Sequence, residues 1–224
     1  MAYEKLLNEI YAALSLEYLW PEYRPGFVKS ESPDCINETL DFGLEVSQAL
    51  LPDDGQMSSF IEKYLGRRKE ELPESAFERY GERLHFYNGR FWAILPDETR
   101  EQDYFFKAKY RFDRKLEKLN KNYHRCKKNG LYLFLHPKEG TTVDVESLFV
   151  YMKHRQEKER IHFNWVFLNC IHVIYVCDFE KDSVEELPLP QNAEVFLAAE
   201  AEKLRQDGCW QGDGIRNVGV ETQG

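Results

Sequence analysis

Hydrophobic residues recur along this chain at two spacings, and these spacings predict an alternation of helices and strands. Near the amino terminus they stand three or four positions apart, which is the helical repeat, and the pattern ends before Pro21. Extended segments are predicted at 27–36 and 40–49, with a turn at 37–39 between them. Short apolar and β-branched runs predict three more strands, at 131–135, 163–170 and 172–179.

Four further helices are predicted along the rest of the chain. The longest covers 103–128, and its predicted end is Asn129-Gly130, because these two residue types favour the conformation that closes a helix. The other three are expected at 58–65, 145–158 and 192–206.

Asn88-Gly89 lies between two short β-prone segments and predicts a tight hairpin, since both positions of such a turn need positive φ angles. The order of elements is helix, strands, hairpin, helix, strand, helix, strand, strand. It indicates an α/β fold with a mixed central sheet flanked by helices. We expect one domain over 1–190, with the hairpin in an insertion at 70–100, and then a C-terminal helix and flexible tail over 191–224.

Composition narrows the class of protein. With 224 residues, 42% hydrophobic and 14% aromatic, the chain has enough apolar surface for an ordinary core. It contains neither an apolar run as long as a membrane span nor an apolar, uncharged amino terminus. The five cysteines are scattered and show no zinc-ligand spacing. We therefore expect a cytoplasmic protein with reduced thiols and no membrane partner.

Charge is distributed unevenly. The net charge is −9, yet residues 107–128 carry ten lysines and arginines against two acids. Such a segment can present a basic face to phosphates, although a solvated helix face explains the charges equally well. If the face binds nucleic acid, the candidate residues are Lys107, Arg111, Arg114, Lys118 and Lys121.

Two acids flank the first predicted turn and form the main chemical candidate. If the turn is centred on 37–40, Asp34 falls opposite residues 42–44, which brings it within about 5–8 Å of Glu45. Two carboxylates this close repel each other unless a cation lies between them. A hard cation such as Mg²⁺ accepts such ligands, and the carbonyl of Val46 is a third oxygen. A plain hairpin with two exposed acids remains the alternative.

The stretch Pro33-Asp34 … Gly43-Leu44-Glu45-Val46-Ser47 resembles the signature of the PD-(D/E)xK nuclease superfamily, and the similar order of elements spans 1–180. The resemblance implies a restriction-endonuclease-like core and hydrolysis of phosphodiester bonds in DNA or RNA, with Mg²⁺ or Mn²⁺ as cofactor. Asp34 and Glu45 are then metal ligands. The chain departs from the signature at its lysine position, where Ser47 stands and cannot supply the positive charge.

Lys115 is the candidate for the missing lysine. It lies inside the apolar stripe of the predicted long helix, at an angle between Phe112 and Leu119, where a charge is costly unless it reaches water or meets an acid. In some members of the superfamily the lysine comes from a neighbouring helix, and Lys115 resembles such a case. The alternative is that Lys115 extends along its helix to solvent and does nothing more.

Glu9 and Glu17 on the first helix are candidates for a third carboxylate, because superfamily members often place a glutamate from this helix near the metal. The alternative is that such residues mark an exposed edge. Two functions stay open: a Mg²⁺-dependent nuclease, and a catalytically inactive relative that serves as a binding or assembly protein. Homodimer formation is also left open. Asp34 and Glu45 on opposite faces of the sheet, or far apart, would favour a plain α/β protein instead.

Overall fold

The structure is a computed structural model that describes residues 2–20, 26–50, 52–94, 104–121, 126–135, 143–208 and 210. Within these ranges the helices are α1 (Ala2–Leu19), α2 (Pro52–Tyr64), α3 (Glu74–Tyr80), α4 (Tyr104–Lys121), α5 (Val145–Gln156) and α6 (Gln191–Gln206). The strands are β1 (Val28–Lys29), β2 (Cys35–Asn37), β3 (Phe42–Gln48), β4 (Leu84–Tyr87), β5 (Arg90–Ile94), β6 (Lys128–Phe134), β7 (Trp165–Asn169), β8 (Val173–Asp178) and β9 (Ser183–Pro188).

The central sheet is mixed, as the sequence predicted. Its order over the described strands is β1-β2-β3-β6-β7-β8-β9. The middle strands β3, β6 and β7 pair in parallel, and every other pairing in this sheet is antiparallel. Parallel strands are normally covered on both faces, which explains why β6 and β7 read as continuous apolar runs in the sequence.

Helices cover both faces of the sheet. One apolar cluster joins α1 and α6 to the side chains of Leu44, Val46 and Tyr132, and it also takes in Trp210. A second cluster joins α4 and α5 to Leu131 and to other residues of β6, β7 and β8. The fold is therefore a three-layer α/β/α arrangement. Residues 209 and 211–224, where a flexible tail was expected, lie outside the described residues.

The predicted end of the long helix at Asn129-Gly130 is wrong. Helix α4 ends at Lys121, and both residues lie within β6. Gly130 packs under the ring of Phe42, so that a Cβ atom there would stand 2.7 Å from the Phe42 Cζ atom. This glycine is needed for the close approach of β3 and β6, and it does not close a helix.

Three other local predictions also need correction. Helix α2 begins at Pro52, well before the predicted start at residue 58, because proline is compatible with the first turn of a helix. Helix α3 and strand β9 have no counterpart in the predicted elements. Strand β9 lies at the edge of the sheet and is mostly exposed, so it lacks the apolar pattern that identifies buried strands.

Residues 52–94 form a unit with an apolar cluster of their own, built from α2, α3 and the β4–β5 hairpin. The hairpin is confirmed, with positive φ angles of 50° at Asn88 and 70° at Gly89. Elsewhere, the four described cysteines are free thiols. In the part of the chain that the structure describes, no helix combines the length and the apolar character needed to cross a membrane.

Replacing Gly130 with alanine should lower the free energy of unfolding by about 1–3 kcal/mol, because the added methyl group overlaps the buried Phe42 ring. Urea unfolding of the purified variant measures the loss. The same substitution in a Phe42→Leu background should cost less, since leucine lacks the ring atoms that obstruct the methyl group. Equal losses in both backgrounds would contradict this account of Gly130.

Candidate functional site

Asp34 and Glu45 lie side by side, because the β2–β3 pairing brings their backbones opposite each other. Cys35 pairs with Leu44, and extending that register by one residue places Asp34 across from Glu45, just beyond the predicted 42–44. Both residues are only 1% exposed. One carboxylate oxygen of Asp34 accepts a hydrogen bond from the backbone N–H of Val46 at 2.9 Å. The plain hairpin with two exposed acids is therefore not what forms.

Gly43 holds the Pro33-Asp34 segment against β3. A Cβ atom at Gly43 would stand 2.6 Å from the Cγ atom of Pro33, so only glycine lets the proline ring lie this close to the strand. The close contact brings the Asp34 backbone to the edge of β3, where the side chain can reach the Val46 N–H. Within the sequence motif, the glycine thus has a packing role of its own.

Lys115 reaches the pair from α4. Its ammonium donates to the Oε1 atom of Glu45, and its Nζ atom is 3.4 Å from the carbonyl oxygen of Val46. The Lys118 Nζ atom contacts the same Oε1 atom at 2.8 Å. The Lys115 side chain is 15% exposed, and its ammonium pairs with a buried acid. Lys115 therefore does not simply extend along its helix to solvent.

Glu9 of α1 completes what we call the carboxylate cluster, namely Glu9, Asp34 and Glu45. It is 4% exposed, and Lys5 joins it to the pair. The Lys5 Nζ atom lies 3.1 Å from Glu9 Oε1 and 2.9 Å from Asp34 Oδ1. Lys5 was not among the candidate residues, although its position four residues before Glu9 on one helix was a visible signal.

Burial and neighbouring charges shift the pKa values of Asp34 and Glu9 in opposite directions. Burial opposes ionisation of Asp34, but Lys115, the Val46 N–H and Lys5 outweigh it and hold the pKa of Asp34 below its ordinary value. The pKa of Glu9 is raised, first by burial and then by the neighbouring Asp34 charge, against the opposing effect of Lys5. Burial and these nearby carboxylates also raise the pKa of the Cys35 thiol well above its usual range, so Cys35 is not a reactive thiolate.

Glu17, the other candidate on α1, is not part of the cluster. Its Oε1 atom accepts the backbone N–H of Phe27 at 2.9 Å, and this bond ties the chain after α1 back to the helix. Eight residues separate Glu17 from Glu9, which corresponds to about 12 Å along a helix. Its burial on the apolar face is explained by this hydrogen bond.

The predicted basic face is only partly a continuous surface. Arg111 donates to the carbonyl oxygen of Leu50 at 3.1 Å, and burial lowers its pKa, so this side chain is committed to the fold. The Nζ atom of Lys107 lies over the ring of Tyr104, 5.9 Å from its centre, in a cation–π contact. The remaining candidates line a shallow groove of about 510 Å³, the basic groove, which comprises Arg114, Lys115, Glu117, Lys118 and Lys121. Through Lys115 and Lys118 this groove adjoins Glu45.

The donor atoms suit a hard cation in type, since carboxylate and carbonyl oxygens are what Mg²⁺ prefers. Among the described residues, however, no group of three or more acidic, histidine or cysteine side chains is arranged to hold a metal ion. Oxygens of Asp34 and Glu45 are engaged by lysine ammonium groups. A metal ion bound by Asp34, Glu45 and the Val46 carbonyl would therefore have to displace at least one of these ammonium groups.

Comparison of the chain with protein-family models, curated proteins and solved structures finds no significant match in any of the three. The functional interpretation accordingly rests on the site itself.

Replacing Lys115 with methionine should lower the free energy of unfolding by about 1.5–3 kcal/mol at pH 7, because Glu45 then keeps only the half-exposed Lys118 and Asp34 loses a nearby positive charge. The loss should shrink as pH falls below about 4. Lys115 is one cause of the lowered pKa of Asp34 in the folded chain. The stability that this lowering adds is present above the pKa of Asp34 in the unfolded chain, and it is lost as pH falls through the pKa of Asp34 in the folded chain. Urea unfolding between pH 7 and pH 3 tests this expectation.

Lys121→Met is the matched control, since Lys121 is an exposed lysine on the same helix. It should change stability by less than about 0.5 kcal/mol at every pH. A Lys115→Met variant that matches this control at pH 7 would show that the buried ion pair adds nothing to stability.

Proposed function

We propose that this chain is a Mg²⁺-dependent nuclease that hydrolyses phosphodiester bonds of DNA or RNA, as a divergent relative of the PD-(D/E)xK nucleases. The observation that carries the proposal is the contact of the Lys115 ammonium with Glu45 and the Val46 carbonyl, beside Asp34 on the neighbouring segment. These groups have the chemistry of the superfamily signature, with the lysine supplied by α4 in place of Ser47.

The order of elements around the site also favours a restriction-endonuclease-like core. Helix α1 precedes the β2–β3 hairpin that carries Asp34 and Glu45, and α4 leads to β6, which pairs in parallel with β3. In this proposal α1 and α4 lie on opposite faces of that sheet, and each supplies charged side chains to the site. The 52–94 unit is then an insertion between β3 and α4.

Each residue has a defined part in the proposed reaction. Asp34, Glu45 and the Val46 carbonyl would hold the metal, with Glu9 as an additional carboxylate. When bound, Mg²⁺ polarises a phosphate and lowers the pKa of a coordinated water. Lys115 contacts two of these ligand oxygens in the metal-free site, and once displaced from them its ammonium would lie beside the metal, where it could orient the attacking water and stabilise the charge that develops on the phosphate.

The basic groove is the proposed binding site for the nucleic-acid backbone. Lys118 and Lys121 are exposed, and Arg114 is exposed while paired with Glu117 at 3.1 Å. Cations along one wall attract phosphates without regard to sequence, and they direct the strand to Glu45 because Lys115 and Lys118 belong to both features. Arg111 has no part in this role because its guanidinium donates to the carbonyl oxygen of Leu50.

A second candidate is a catalytically inactive relative that binds or assembles. One observation favours it: Lys5, Lys115 and Lys118 already neutralise the three acids, so the cluster can be stable without a metal. The contact of Lys115 with Glu45 is common to both candidates, since it balances a buried acid and also places an ammonium beside the proposed metal ligands. Metal binding separates the two candidates.

Asp34→Asn and Glu45→Gln should each abolish Mg²⁺- or Mn²⁺-dependent cleavage of plasmid DNA or RNA, because each removes a charged ligand while preserving side-chain shape. Lys115→Met should reduce the cleavage rate by at least about 100-fold, as expected for loss of one preorganised charge in a transition state. Gel electrophoresis of a labelled substrate measures the rates.

Glu17→Gln is the control, since Glu17 is a buried acid of α1 that binds the Phe27 N–H outside the cluster. It should retain cleavage whatever it does to stability. Preparations of all variants by one protocol guard against contaminating nucleases. If the native chain leaves every tested DNA and RNA intact with both metals, or if Asp34→Asn cleaves normally, the proposal is wrong.

Lys5→Ala should bind Mn²⁺ about tenfold more tightly than the native chain, because the Lys5 ammonium competes with a cation for Asp34 and Glu9. Titration calorimetry measures the affinity without any substrate. Asp34→Asn should remove the binding in the Lys5→Ala background. Absence of Mn²⁺ binding in both the native chain and Lys5→Ala would favour the inactive relative.

A further inference from the structure

The β4–β5 hairpin has one buried face and one exposed face. Phe86 and Phe91 point into the apolar cluster of the 52–94 unit, and Phe91 is fully buried. On the other face stand Tyr87, 65% exposed, and Trp92, 62% exposed. Their ring centres lie 6.4 Å apart with the planes tilted by 57°. Two large aromatic side chains are thus adjacent and largely open to solvent.

Arginines share this exposed face. Tyr87 pairs directly with Arg90 across the hairpin, so the two side chains project from the same side. The segment before α3 runs antiparallel beside β5, with the Gly66 N–H bonded to the Phe91 carbonyl at 2.8 Å and an Arg68–Arg90 bridge. Arg68 therefore projects on this side as well. We call Arg68, Tyr87, Arg90 and Trp92 the hairpin platform.

Arg90 is held in place within the platform. The Arg90 Nη1 atom donates to the Gly66 carbonyl oxygen at 2.8 Å, which lays its side chain along the surface. The Gly66 N–H donates to the Phe91 carbonyl, and the Phe91 N–H donates to the Arg67 carbonyl at 2.7 Å. With a positive φ of 77° at Gly66, Gly66 and Arg67 form a bulge opposite Phe91. A Cβ atom built at Gly66 would meet nothing within 4 Å, so the surface at the bulge is open.

We propose that the hairpin platform binds single-stranded nucleic acid by stacking unpaired bases on Trp92 and Tyr87 while Arg68 and Arg90 contact the adjoining phosphates. Aromatic rings attract bases of any sequence because every base has a flat π face, and arginines add charge attraction to the backbone. A duplex offers no such faces, since its bases are already stacked on one another. This inference rests on the proposed nuclease function and names the form of its substrate.

The platform explains an otherwise costly feature. Large aromatic side chains bury 150–250 Å² when they are covered, so leaving two of them together in water forgoes stabilisation of the fold. Their arginine neighbours fit an anionic partner with flat rings better than they fit an apolar protein surface. The competing arrangement is self-association of two copies of the chain through the same face, which sedimentation would detect as a dimer.

Binding is measured in EDTA, so that no cleavage occurs, by the fluorescence anisotropy of a labelled oligothymidylate of about 20 nucleotides. Trp92→Ala and Tyr87→Ala should each weaken binding by about tenfold. Phe196→Ala is the control, because Phe196 is an exposed aromatic residue of α6, outside both the platform and the basic groove. It should leave the affinity unchanged. A duplex of the same length should bind more weakly than the single strand and respond less to the platform substitutions.

Tryptophan fluorescence gives an independent readout of stacking. Of the four tryptophans, Trp92 is the most exposed, and a base stacked on it should quench its emission when the oligonucleotide is added. Trp92→Phe keeps an aromatic surface and should retain most of the affinity while losing the quenching. Both substituted side chains are exposed, so circular dichroism and thermal unfolding should match the native chain.

The proposal fails if Trp92→Ala and Tyr87→Ala bind the oligonucleotide as the native chain does, or if quenching persists in Trp92→Phe. It also fails if Trp92→Ala dissociates a dimer in sedimentation while leaving oligonucleotide affinity unchanged, since the face would then be a protein contact. Failure of the nuclease proposal looks different. Cleavage would be absent or insensitive to Asp34→Asn, whereas platform-dependent binding in EDTA would remain.

Discussion

Three buried carboxylates need positive partners, and this constraint organises the site. Glu9, Asp34 and Glu45 are each less than 5% exposed, and an unpaired buried charge costs several kcal/mol. The chain meets the demand from two helices on opposite faces of the sheet. Lys5 of α1 joins Glu9 to Asp34, and Lys115 of α4 binds Glu45. If either helix moved far, a buried carboxylate would lose its positive partner.

The sheet sets the positions that make these contacts possible. The register of β2 on β3 brings Asp34 beside Glu45, with Gly43 allowing Pro33 to lie against the strand. Parallel pairing of β3 with β6 then brings the element that follows α4 to the centre of the sheet. The apolar stripe of α4 packs on that centre, and Lys115 is carried to Glu45 by the same packing.

The proposed chemistry follows from an arrangement in which the positive charge and the acids come from different elements. A lysine from a helix can occupy the place that the superfamily signature gives to a strand, because the reaction depends on where the ammonium lies and not on its sequence position. The same lysines also balance the cluster when it holds no metal. In the proposed nuclease, stability of the metal-free site and access of a metal ion are therefore opposed, at Lys5 beside Asp34 and at Lys115 beside Glu45.

The sequence alone determined the class of fold, the Asn88-Gly89 hairpin and the position of the Lys115 charge on an apolar stripe. Each of these depends on the spacing of nearby residues or on their local conformational preferences. It did not determine that Gly130 lies in a strand, that Arg111 binds Leu50, or that Lys5 reaches Asp34. Those facts depend on residues far apart in the chain. Periodicity records which side of an element is buried, but only the tertiary structure, through register and packing, decides which partner is met there.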